Sequence, residues 1–276
     1  MKLTKPLLFC TALAATLVSS HAHAVFENGG FEQGDFTGWT LGGGTNPGLI
    51  GSEPFTYSSI PAVSLGSTPG PASIVGSIVD PQAPALLLPR VGSSTAKIND
   101  ENTGALVTTL TQQDALTNAD IDNGDGLPHI RFSFAPVLDD PSHSPNEQPY
   151  FYVVMRKVSD SSILFEQFTY SGQAGVPFEN GTGSWKFLPF QNVDATLTLA
   201  DIGEDIELTI VAADCSQTGH GGYVYVDGFG SSVVPPAGTN TPVVAVVPSN
   251  NRIGLGILAG LFLMVAAVVM RRGSNA

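Results

Sequence analysis

The chain has 276 residues, with 11 Lys or Arg against 24 Asp or Glu, and a net charge of −13. Lys2, Lys5, Arg252, Arg271 and Arg272 stand at the two ends, so residues 25–251 set 6 bases against all 24 acids, a net of −18. Phosphate contacts need clustered Lys and Arg, so this balance argues against nucleic acid as a partner and admits cations as ligands.

Residues 1–24 have the layout of a secretory signal: Lys2 and Lys5, an apolar run from Pro6 to Val18, and Ala22-His23-Ala24 as a cleavage site. The mature chain is expected to begin at Val25. Cys10 lies behind the bulky Phe9 inside the apolar run and is removed with the signal. Cys215 is then the lone cysteine, so no internal disulfide can form and the fold rests on its core.

Residues 25–232 are expected to form one all-β domain, a single antiparallel β-sandwich. Alternating aromatics broken by glycines at residues 25–40 predict a short strand and turns that point Phe31, Phe36 and Trp39 inward, followed by a Gly-rich loop. Residues 54–89 are rich in Pro, Gly and Ser without a period, which predicts loops and short edge strands. Period-two patterns follow at 106–111 and 130–134, and strand-like runs at Tyr150 to Val158, Ile163 to Tyr170, Trp185 to Gln191, Ile206 to Ala213 and Gly222 to Phe229. Only Leu199 to Gly203 reads as a helical turn.

Three clusters could carry chemistry. Asp120-Ile121-Asp122-Asn123-Gly124-Asp125-Gly126 looks like a calcium loop, but the EF-hand register puts Ile121 first and Phe132 twelfth, so it reads as an acidic turn or an irregular calcium site. Cys215 and His220, with Asp214 beside them, invite a zinc or nucleophile reading, but a metal needs roughly three or four ligands and a catalytic Cys a positive environment, and neither is visible in so acidic a region. Hydrogen bonds from Asp214 and His220 that order the loop are the simpler reading. His129, His143, Glu147 and Tyr150 flank turns at strand ends and form a candidate rim for binding a sugar. The sequence contains no Gly-x-Ser-x-Gly elbow, His-Glu-x-x-His or phosphate loop.

The opening Asn28-Gly29-Gly30-Phe31-Glu32-x-Gly34 with Gly38-Trp39, and the closing run Gly222 to Phe229, resemble the first and last strands of galactose-binding-like jelly rolls, the fold of many carbohydrate-binding modules. The resemblance implies a structural calcium where those strands pair, with Glu32 and Asp227 at the matching positions. Residues 127–230 also look like an exported sandwich domain of bacterial surface proteins, a resemblance that brings no activity. Its relatives often carry an acid or a Cys where this chain has Gly228, so Cys215 is expected to be free and buried.

At the end of the chain, residues 233–252 read as a Pro-rich linker and residues 253–270 as an uncharged apolar run, about 27 Å long as a helix and sufficient to span a bilayer. Residues 271–276 are a basic cytoplasmic tail led by Arg271 and Arg272. The layout resembles the PEP and IPTL sorting signals of Gram-negative bacteria, with Pro248, Ser249, Asn250 and Asn251 at the motif position and without the Glu-Pro of one type or the longer motif of the other. That resemblance implies an exosortase-like enzyme as partner. The expected function is non-enzymatic: an envelope or surface protein that binds extracellular glycan or serves adhesion or a matrix. It is anchored in the inner membrane facing the periplasm, or delivered to the surface once the tail is processed. The rival is a secreted glycan hydrolase whose two carboxylates the sequence cannot place.

Overall fold

The computed structural model describes residues 25–230. Twelve strands follow in order: β1 (Thr40–Thr45), β2 (Ala72–Val75), β3 (Thr95–Ile98), β4 (Leu106–Ala115), β5 (His129–Asp139), β6 (Tyr150–Lys157), β7 (Ile163–Tyr170), β8 (Glu179–Asn180), β9 (Trp185–Phe187), β10 (Gln191–Thr196), β11 (Asp205–Ala213) and β12 (Gly222–Gly230). They form two antiparallel sheets. One runs β1-β4-β11-β6-β7; the other runs β2-β3-β12-β5-β9-β8, with β10 also paired to β5. The core of this arrangement is β3-β12-β5-β10 facing β4-β11-β6-β7, a jelly-roll order in which these eight strands alternate between the sheets except at the β6–β7 hairpin.

The long strand β5 carries two partners on one edge. Gln191 to Thr196 of β10 pair with Phe134 to His129, and Trp185 to Phe187 of β9 pair with Asp139 to Val137. On its other edge β12 runs in register until a bulge between Asp227 and Gly230, where Gly228 has a φ of 67°. A left-handed residue inside a strand favours glycine, which gives Gly228 a backbone reason for its place in the bulge.

Between the sheets lies the main core, where Phe132, Phe134, Phe151, Ile210 and Val224 meet Phe31, Trp39 and Phe229. The outer faces are covered as well. Leu49, Phe55 and Ile60 pack on Tyr150, Tyr152, Tyr170 and Val211 outside the five-stranded sheet; Ala83, Leu86 and Leu88 pack on Val137, Tyr223 and Tyr225 outside the other. The aperiodic Pro-rich stretch therefore serves as two covers. Every residue of β5 is buried, because each of its faces has a layer over it.

The second cover is pinned by Asp80, which is fully buried. Its carboxylate accepts from the Tyr223 hydroxyl (2.9 and 2.8 Å), the Tyr225 hydroxyl (2.5 Å), and the N–H groups of Gln82 and Ala83 (2.7 Å each). The Gly-rich stretch expected as a loop is strand β1. Cβ atoms added at Gly42 and Gly44 would meet the carbonyl oxygens of Gly66 at 2.8 Å and Val63 at 1.9 Å. The cover packs backbone to backbone there, so β1 needs glycine without being a loop. The expected helical turn is a 3-10 turn at Leu199–Asp201.

The signal, the linker with Pro248, Ser249, Asn250 and Asn251, the apolar run 253–270, and Arg271 and Arg272 lie outside the described residues. Among the described residues, no helix is long and apolar enough to cross a membrane.

Candidate functional site

The outer face of β6 and β7 carries an aromatic ladder where a solvent-facing sheet would place polar residues. Tyr150 pairs with Tyr170 and Tyr152 with Phe168 across the two strands. Tyr150 stacks on Phe168 at 5.3 Å, and Phe55 of the cover leans on Phe168 and Tyr170 at 5.7 and 5.9 Å. Beside this ladder opens a cleft of about 480 Å³, lined by Glu53, Pro54, Phe55, Glu166, Phe168 and Tyr170 among others. Tyr57, 39% exposed, packs against Tyr152 at 5.9 Å.

Two carboxylates face this cleft, each held by a tyrosine. The Tyr152 hydroxyl donates to Glu166 Oε1 (2.8 Å), and the Tyr170 hydroxyl donates to Glu53. Burial, and then the bond to Glu53, push the Tyr170 hydroxyl up to about 12, so it stays protonated and a donor at physiological pH. The lining combines aromatic carbon with fixed carboxylate acceptors, a surface suited to a ring that is apolar on one face and rich in hydroxyls at its edge. The sequence signal for it was the run of aromatics at alternate positions of β6 and β7.

Glu32 and Asp227 grip one short loop, residues 90–94, from two sides. Glu32 Oε1 accepts from Ser93 N (2.8 Å) and Ser94 N (3.1 Å), and its Oε2 accepts from the Ser93 hydroxyl (2.5 Å). Asp227 Oδ2 accepts from Arg90 N (3.0 Å) and Val91 N (2.9 Å). Burial pushes Asp227 up to about 8, against the lowering effect of its backbone hydrogen bonds. Calcium takes roughly six to eight oxygen ligands. The groups facing both Glu32 oxygens and Asp227 Oδ2 are N–H and O–H donors, and Asp227 Oδ1, buried without a partner, is the one oxygen of the pair left open; a single oxygen does not fit an ion shared by the two carboxylates as they are arranged.

The four residues expected to share a rim are divided. His129 opens β5 and His143 follows its end, about 30 Å along the strand from His129. His129 Nδ1 faces Asp194 (2.5 Å) and Nε2 faces Asp125 (3.0 Å); Arg131 binds Asp122 (2.7 Å) and Asp194 (2.8 Å). Burial disfavours the charged imidazole, but the bonds to Asp194 and Asp125 outweigh it and hold His129 above its ordinary pKa. The acidic turn at 120–126 is thus engaged by His129 and Arg131 of β5. Asp120 at its start accepts from Val25 N (2.8 Å) and Thr117 N (2.8 Å).

Tyr150 is wholly buried under the cover, in the ladder rather than on a rim. His143 and Glu147 lie together on the loop that joins β5 to β6, against the loop that joins β11 to β12. Ser216 N donates to the Glu147 carbonyl (3.0 Å), and the Gln217 side chain donates to Glu147 Oε1 (2.8 Å). His143 and His220 meet edge to face at 5.2 Å, and Cys215 Sγ lies 3.5 Å from His220 Nδ1. Asp214, buried and pushed up to about 7 by that burial, accepts from Leu106 N, Gly222 N and Asn99 Nδ2 and fixes both ends of the second loop.

No protein-family model matches the sequence, and a search of curated proteins finds no match. Solved structures align with it at low identity. A carbohydrate-binding module specific for non-crystalline cellulose aligns at 13% identity over 75% of this chain and 94% of its own, with a TM-score of 0.35. The CBM27-1 module of Caldicellulosiruptor saccharolyticus, solved with mannohexaose, aligns at 12% over 58% and 80%, with a TM-score of 0.31. The K2 cleaved adhesin domain of Lys-gingipain aligns at 13% over 58% and 88%, with a TM-score of 0.28. Likeness at this level carries no argument about ligand or activity.

Proposed function

We propose that this is a non-enzymatic exported protein of the bacterial envelope or surface, which binds extracellular glycan in the cleft beside β7 and serves adhesion or a matrix. The observation that carries the reading is that cleft, where Phe55, Phe168 and Tyr170 line a surface that also presents Glu53 and Glu166. Rings of this kind cover the apolar face of a sugar, while fixed carboxylates accept from its hydroxyls. Export rests on the signal-like residues 1–24. The apolar run 253–270 with Arg271 and Arg272 supports membrane anchoring, or sorting at Pro248 to Asn251 by an exosortase-like enzyme.

The test is a glycan array with the purified protein, followed by titration of each hit against Phe168→Ala and Glu166→Gln. Binding that both changes weaken supports the reading. A blank array, or hits indifferent to both changes, overturns it for this cleft. Release of reducing sugar, lost in Glu53→Gln or Glu166→Gln, would replace it with the hydrolase reading, because retaining and inverting glycosidases both need two carboxylates about a cleft.

A further inference from the structure

The stretch Cys215 to His220 lacks a third metal ligand of its own, and the fold provides one. The loop that joins β5 to β6 lays His143 against it, and one ligand atom from each of His143, Cys215 and His220 falls within 4.8 Å of the other two. We propose that these three residues form a zinc site that ties the β5–β6 loop to the β11–β12 loop.

Three observations carry this. The first is geometry. A tetrahedral zinc, about 2.3 Å from sulfur and about 2.1 Å from nitrogen, sets its S···N edges at about 3.6 Å and its N···N edges at about 3.4 Å. Cys215 Sγ and His220 Nδ1 are already 3.5 Å apart. The remaining pairs, within 4.8 Å, need to close by about 1.4 Å at most to complete the face of that tetrahedron.

The second observation is an unsatisfied group. His143 Nδ1 is buried and has no hydrogen-bond partner, which costs roughly 1–3 kcal/mol for a neutral polar group. A metal between the three side chains gives that imidazole a partner.

The third is preorganisation. Cys215 N donates to the His220 carbonyl (2.9 Å) and Thr218 N to the Cys215 carbonyl (3.3 Å), which closes the second loop on itself. Gln148 Nε2 donates to the His143 carbonyl (3.2 Å), and Glu147 joins the two loops through Ser216 and Gln217. The ligands are therefore held before any metal arrives, as a site of useful affinity requires.

One thiolate with two imidazoles suits zinc, which coordinates nitrogen and sulfur without a geometric preference of its own. Cys215 is fully buried, whereas His143 and His220 are partly exposed, so the fourth position opens to solvent and takes water. The acidic body draws cations toward the site.

The test uses the full-length protein without a polyhistidine tag, stripped by chelator and titrated with Zn²⁺ alone and then with Co²⁺ as a spectroscopic probe. One equivalent of either metal is expected to bind, Co²⁺ with a thiolate-to-metal charge-transfer band in the near ultraviolet, and Zn²⁺ is expected to raise the melting temperature. Cys215→Ala removes the band. His143→Gln and His220→Gln weaken binding by at least the roughly tenfold that changes to outer-shell groups alone produce. If Cys215→Ala fails to fold, the two part-exposed histidines decide, together with protection of the wild-type thiol from alkylation by Zn²⁺. No bound metal, or binding unchanged in both histidine variants, overturns the site and leaves Cys215 and His220 as a hydrogen-bonded pair.

Discussion

Gly29 and Gly30 are neighbours with opposite tolerance for a side chain. Neither has a positive φ, so backbone strain does not separate them. A Cβ at Gly29 would sit 2.1 Å from the Phe229 carbonyl oxygen, 2.8 Å from its carbon and 2.9 Å from the Phe229 Cβ. Those atoms belong to β12 and cannot retreat. At Gly30 the nearest atom is Glu32 Cγ at 3.5 Å, an ordinary contact. Gly29→Ala must therefore push the opening segment off the last strand. It breaks the bond from Phe229 N to the Gly29 carbonyl (3.0 Å), worth about 1 kcal/mol. It also loosens Phe31 and Trp39 from Phe229, where the rings lie 6.1 and 4.9 Å apart; partial exposure of two such side chains adds about 2 kcal/mol. The expected loss is about 3 kcal/mol, or roughly 6–12 °C in melting temperature for a domain of this size. Gly30→Ala should be neutral or stabilising by up to about 1 kcal/mol. Urea denaturation of the wild type and both variants decides it. A Gly29→Ala protein within about 0.5 kcal/mol of Gly30→Ala would show that the opening segment does not seat on β12 in this way.

Four further outcomes are expected. His129 has a folded pKa above its unfolded value, so its stabilising effect is complete below the unfolded pKa and disappears as pH rises through the folded one; His129→Gln should flatten that part of the stability curve measured by urea midpoints. Tyr225→Phe removes a hydroxyl donated to the buried Asp80 carboxylate and should cost about 1.5–3 kcal/mol, read by denaturant unfolding. Calcium should raise the melting temperature no more than magnesium does, because N–H and O–H donors occupy both oxygens of Glu32 and Oδ2 of Asp227, which leaves Asp227 Oδ1 as the one carboxylate oxygen of the pair without a partner. Terminal sequencing of the exported protein should begin Val-Phe-Glu; the Val25 ammonium then meets the buried Asp120, and one added residue before Val25 should lower the melting temperature.

The sequence by itself determined the fold class and most of the strands. Ile163 to Tyr170 was legible from end to end, because β-branched and aromatic runs between turn residues report a local preference. It also set the expectation of a free, buried Cys215, and among the described residues Cys215 is free and buried. The covers were not legible: residues 46–65 and 80–94 carry no period, since packing on an outer sheet face through turns and prolines needs none. The second cover explains why Ala135 and Val137 are apolar on the outer face of β5. Nor could the sequence gather the candidate sites. The cleft joins Glu53 to Glu166 because the first cover crosses β7, and His143 reaches Cys215 and His220 because β5 pairs with β12 and β6 with β11. Strand order of that kind is fixed by loop closure and shared burial over the whole sandwich, terms that leave no mark on a local stretch of sequence. His129 lies far from that site because the whole extended length of β5 separates it from His143.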